Sequence, residues 1–133
     1  MDNERLDNTR YGFPLDKWEQ AREEIRRILI ACARKPETIA YSDLLRQVKE
    51  IHLEPDSYAV GPILGEVSES EDALGRGMLT VLVVHKGGDT RPGPGFFELA
   101  KKLDRDTSDI ERCWVEEFTH VLNVWSGPNP PSS

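Results

Sequence analysis

The chain has 133 residues, 38% hydrophobic and 31% charged, with 17 basic against 24 acidic side chains and a formal net charge of −7. That size suits one domain with one core and excludes two full enzyme domains. Two cysteines exclude a disulfide scaffold, no apolar run approaches the roughly 20 residues that span a bilayer, and Met1-Asp2-Asn3-Glu4 lacks the apolar stretch of a signal peptide. A cytoplasmic protein without membrane contact is therefore expected.

Residues 1–14 are polar and end in Tyr11-Gly12-Phe13-Pro14, which reads as a flexible arm with an aromatic anchor at Tyr11 and Phe13. Trp18, Ala21, Ile25, Ile28, Leu29 and Cys32 recur at helical intervals, predicting an amphipathic helix over 17–34. Asp16 and Glu19 stand at capping-box spacing before it, and Lys35-Pro36 ends it. Thr38 to Tyr41 is a short β-prone stretch. Ser42 caps a second helix carrying Leu44, Leu45, Val48 and Ile51 on one face. Val60, Ile63, Leu64 and Val67 predict a third helix over 60–69, with Pro62 tolerated in its first turn. The polar, glycine-punctuated residues 68–77 read as a loop.

Met78 to Val84 is nearly continuous in apolar residues and predicts one long strand covered on both faces. Gly87 to Gly95 reads as a long glycine–proline turn, and Phe96, Phe97, Leu99, Ala100 and Leu103 begin a fourth helix. Thr107 or Ser108 caps the last helix, whose apolar face is Ile110, Trp114, Phe118, Val121 and Trp125. Residues 126–133 read as a disordered tail. The fold class is α+β: a single mainly helical domain over 15–125, with about five helices and one long strand.

Charge is unevenly distributed. Residues 36–75 hold two basic and nine acidic side chains, whereas residues 76–103 hold five basic and two acidic. Only the second segment offers a cationic face of the kind that meets an anionic partner. Its most unusual portion, Thr90-Arg91-Pro92-Gly93-Pro94-Gly95, combines a cation with glycines that let a backbone approach closely. His85 and Lys86 close the strand beside it. His52, His85 and His120 lack metal-ligand spacing, and the acidic run Glu66, Glu69, Glu71, Asp72 lacks a calcium-loop pattern. No metal or cofactor site is expected. Cys32 and Cys113 lie on or beside apolar stripes, as structural cysteines do. Glu66 lies within the third helix, where it can act as an acid, a base or a partner for Lys86.

The succession Ile39-Ala40-Tyr41-Ser42-Asp43-Leu44-Leu45, Ala59-Val60-Gly61-Pro62-Ile63-Leu64-Gly65, Leu82-Val83-Val84 and Gly93-Pro94-Gly95-Phe96, set between helices, resembles the winged-helix DNA-binding domain of the alkyltransferases and alkyltransferase-like proteins. The resemblance covers about residues 17–97. Tyr41 matches the family's tyrosine, Ala59-Val60-Gly61 its Ala-Val-Gly, and Leu82-Val83-Val84 its Arg-Val-Val. It implies a winged-helix-like core. It does not imply alkyl transfer, because Thr80 stands near the place of the reactive cysteine and Tyr58 stands where the family has its duplex-entering arginine.

The expected function is a small non-catalytic recognition module. It binds a macromolecular partner, protein or nucleic acid, through the strand end and the following turn, with Tyr41, Tyr58, His85, Lys86, Thr90 and Arg91 as ligand-binding residues. The alternative is a small enzyme acting on an anionic substrate with Glu66 as acid or base. The aromatic face of the last helix also suits a homodimer.

Overall fold

A computed structural model describes residues 9–85 and 92–132. Thr9–Arg10 (β1) and Phe13–Pro14 (β2) form a two-stranded antiparallel hairpin. The helix α1 follows at once, over Leu15–Arg34. Its buried side chains Trp18, Ala21, Ile25, Leu29, Ile30 and Ala33 repeat at the interval that places them on one face. Ile39–Ala40 (β3) leads into α2, Tyr41–Gln47. An irregular stretch reaches α3, Val60–Ala73. Leu79–Leu82 is a single 3-10 turn continued by β4, Val83–Val84. The chain then forms α4, Pro94–Lys102, and α5, Ile110–Ser126. The result is a mainly helical α+β domain, with α1 at the centre packed against α3, α5 and the 3-10 turn. Trp18, Leu29, Ile63, Leu82 and Trp125, all nearly solvent-free, mark the core.

Several local expectations are corrected. The long strand over Met78–Val84 is instead the 3-10 turn plus two residues of strand. Every residue of the segment is still buried, so its apolar continuity reported burial rather than extension. The acidic stretch after Glu66 is helix through Ala73, not loop. Three helix starts shift. Asp16 lies inside the first turn of α1, with Pro14 at the cap; Ala40 rather than Ser42 precedes α2; and Asp109, not Thr107 or Ser108, caps α5 by accepting the Arg112 amide at 3.1 Å. Val48 and Ile51 stay buried although α2 ends at Gln47. Among the described residues, no helix is long and apolar enough to cross a membrane.

The β3–β4 pair is parallel, with Ile39 opposite Val83 and Ala40 opposite Val84. Two parallel strands release their next residues on the same side. Tyr41 and His85 therefore emerge together, and this sets the position of the site.

Candidate functional site

The rings of Tyr41 and His85 lie 5.0 Å apart, centroid to centroid. They form one wall of a groove of about 650 Å³ whose floor is α3 and whose far side includes Phe96 and Leu99 of α4. That volume is in the range of sites that take a small molecule or a short side-chain cluster. Tyr11, at the tip of the β1–β2 hairpin, lines the groove as well. Its ring stacks on Trp18 at 5.2 Å and meets the edge of Tyr58 at 5.9 Å. On the outer side of His85 a second, shallower depression of about 480 Å³ runs between Pro92, Pro94, Phe97 and Ile110.

Gly61 and Gly65 stand four residues apart on α3 and both line the groove. Neither has a positive φ. A Cβ at Gly61 would touch nothing within 4 Å, and one at Gly65 would make only an ordinary contact with Leu99, at 4.0 Å. Gly61 has a local reason, because a Cβ on a helical residue directly before Pro62 would crowd the proline ring. Neither packing nor φ explains Gly65, which costs the helix about 1 kcal/mol relative to alanine. Pro62 between them removes an amide as well. Bare helix backbone at the floor of an aromatic groove is what close approach of a ligand requires. Gly65→Ala is expected to raise the unfolding free energy by about 0.5–1 kcal/mol. Urea titration of the variant checks this, and destabilisation would show that the bare backbone has a structural reason.

The groove's polar groups are mostly satisfied within the protein. Glu66 accepts from Arg22 Nη1 at 2.7 Å, from Trp18 Nε1 at 2.9 Å and from Arg10 Nη1 at 2.9 Å. Partial burial pushes its carboxyl up, but the Trp18, Arg22 and Arg10 hydrogen bonds outweigh that and hold it below the usual carboxylate range. Such a carboxylate stays ionised and is a weak proton acceptor. Glu69 faces Lys102 at 3.5 Å. Beneath, the buried Ser68 and Thr80 hydroxyls lie 2.5 Å apart, and the Thr80 amide donates to Ser68 Oγ at 3.2 Å. Burial pushes the Tyr41 phenol up, so it remains a neutral hydroxyl at ordinary pH.

Of the residues singled out from sequence, Tyr41, His85 and Glu66 share this groove. Tyr58 is 73% exposed at its edge, in contact with Tyr11. Lys86, Thr90 and Arg91 lie outside the described residues, so the expected Lys86 partnership of Glu66 does too; the described partners are Arg10, Arg22 and Trp18. Sequence reasoning missed Tyr11 as a wall and Gly61 and Gly65 as the floor. The signal was available in Gly-Pro-Ile-Leu-Gly, two glycines at helical spacing inside an apolar helix.

No group of three or more histidine, cysteine or acidic side chains converges as a metal site among the described residues. Glu71 and Asp72, from the acidic run, instead pair with Arg26 and Arg76 and with Arg105. Cys113 is buried, Cys32 half-buried, and burial pushes both thiols up, away from the reactive thiolate. Comparison of the chain with protein-family models, with curated proteins and with solved structures finds no match.

Proposed function

We propose that the protein is a small non-catalytic recognition module that takes a segment of a protein partner into the groove lined by Tyr11, Tyr41 and His85. The observation that carries this reading is Gly65, which leaves helix backbone bare on the groove where neither packing nor φ calls for it. The aromatic walls supply area at little entropic cost, as partner-binding surfaces do. The path from the groove past His85 to the depression beside Pro92 and Phe97 suits an extended segment better than a compact ligand. The net charge of −7 favours a protein over nucleic acid, whose phosphates reward cationic surfaces.

A second reading, a small enzyme for an anionic substrate with Glu66 as acid or base, has the groove's volume and Lys102 in its favour. The three donors on Glu66 weigh against it, because they take up the carboxylate and lower its basicity.

Display selection from random dodecapeptides against the protein, with counter-selection against Gly65→Phe, tests the proposal. Enriched peptides that lose affinity at least tenfold on Gly65→Phe are the expected result. The winged-helix resemblance makes duplex DNA the necessary comparison probe. Tight, salt-sensitive DNA binding with no groove-dependent peptide would replace the protein partner with nucleic acid. Failure of every probe to recognise the groove would end the recognition reading.

A further inference from the structure

The wall formed by Tyr11 differs in construction from the rest of the groove. It stands on a hairpin of two residues per strand, too short to be stable alone. Its turn residues Tyr11 and Gly12 have φ of +51° and +84°. A tight two-residue hairpin turn needs that backbone, but tyrosine resists it, and strained non-glycine residues concentrate at clamps and switches. Contacts among the described residues hold the hairpin against the body of the protein. Arg10 bonds Glu66, Tyr11 stacks on Trp18, and Phe13 lies 6.3 Å from Trp18, ring to ring. Tyr11 also meets Tyr58 at 5.9 Å. The Arg10 side chain is 45% exposed and Tyr11 is 43% exposed.

The pin is separable from what it is pinned to. Glu66 keeps Arg22 and the Trp18 indole when Arg10 leaves, so release strands no carboxylate without a partner. The body beneath is firm. Trp18 is fully buried, and the hairpin joins α1 directly at Pro14–Leu15, which gives a short joint for a swing. We propose that the hairpin is a displaceable strap on the groove. Breaking the Arg10–Glu66 bond lifts Tyr11 from Trp18 and opens the groove that Tyr41 and His85 also line. The segment that binds takes the vacated indole face. This assignment of regulation rests on the recognition reading above for its purpose, but the motion itself is testable without any ligand.

The probe is the Trp18 indole N–H, which donates to Glu66 and lies under Tyr11. Lifting Tyr11 brings water to this N–H, whose exchange then needs only a local break of its remaining bond to Glu66. In ¹⁵N-labelled protein it should therefore exchange at least about 100-fold faster than the Leu29 amide in the core of α1, which waits for global unfolding. Arg10→Gln should speed Trp18 exchange by about threefold to tenfold, the scale of one partly exposed charged hydrogen bond, and leave Leu29 unchanged; Arg10→Lys should fall between. Equal exchange at Trp18 and Leu29, or rates indifferent to Arg10, would overturn the strap even if groove-dependent peptides are found. Fast, Arg10-dependent exchange supports it even if the peptide selection fails, and that failure would count against the recognition reading alone.

Discussion

Glu71→Ala is expected to cost about 4 kcal/mol of stability, the scale of removing one partner from a buried ion pair. Glu71 is 1% exposed. Its carboxylate accepts from Arg26 Nε at 3.0 Å and from Arg76 Nε and Nη2 at 2.9 and 2.8 Å. The Arg76 guanidinium also lies 5.4 Å from the centroid of the Trp125 ring. Alanine would leave two largely covered guanidiniums without the carboxylate they share, Arg26 retaining only Glu23 at 3.2 Å. Glu117 repeats the device. It accepts from Arg105 Nε and Nη2 and, at 2.7 Å, from the Met78 amide.

Burial pushes both carboxyls up, but the arginine hydrogen bonds and charges, with the Met78 amide at Glu117, prevail and hold both below their ordinary value near 4.5. The sign follows. Unfolded, these groups bind protons at a higher pH than they do folded, so their contribution is complete above about pH 4.5 and is lost as pH falls through the lower folded values. Thermal melts between pH 7 and pH 3 should fall steeply at the acid end. Glu71→Gln should be less stable at pH 7 and show a shallower acid slope. Equal slopes in the two proteins would sink the assignment of acid sensitivity to Glu71.

Gly77→Ala is the second large effect, at about 3 kcal/mol, combining backbone strain with overpacking. Gly77 has a φ of +89°, and a Cβ there would sit 2.7 Å from His120 Cδ2, 3.0 Å from Val121 Cγ2 and 3.1 Å from Glu117 Oε2. The last of these atoms holds the Met78 amide, so relief of the clash disturbs a buried hydrogen bond next door. Gly75 is the control, because its φ is +75° but a Cβ would meet nothing within 4 Å. Gly75→Ala should cost only the backbone term, about 1–2 kcal/mol. Chemical denaturation of both variants separates clash from strain, and equal losses would refute the close packing claimed at Gly77.

Much of the helical framework was readable because burial and helical period coincide in it. Trp18, Ala21, Ile25 and Leu29 named α1, and Val121 and Trp125 anchored α5, as they do in the structure. The strand over 78–84 was not readable as a 3-10 turn, since an all-apolar run carries no period to separate the two. Helix caps failed because serine and aspartate compete with position. The Asp16–Glu19 spacing was correct for a capping box, yet the hairpin delivers Pro14 to the cap and moves Asp16 inside. For the site, Tyr41, His85 and Glu66 stood out in sequence as chemistry. Their company with Tyr11 did not, because it depends on a parallel pairing and a hairpin that bring distant segments together.

The parallel pairing also sets an order of assembly. An antiparallel hairpin closes as soon as its own residues exist, but β3 must wait for β4, and α2 and α3 lie between them. Closing so long a loop is entropically slow. The residues of the hairpin, α1 and α2 are therefore all present in a growing chain well before Val83 arrives to align Tyr41 with His85. One part of the groove is local and early and another is non-local and late, so the site comes into being only when the folding of the whole domain does.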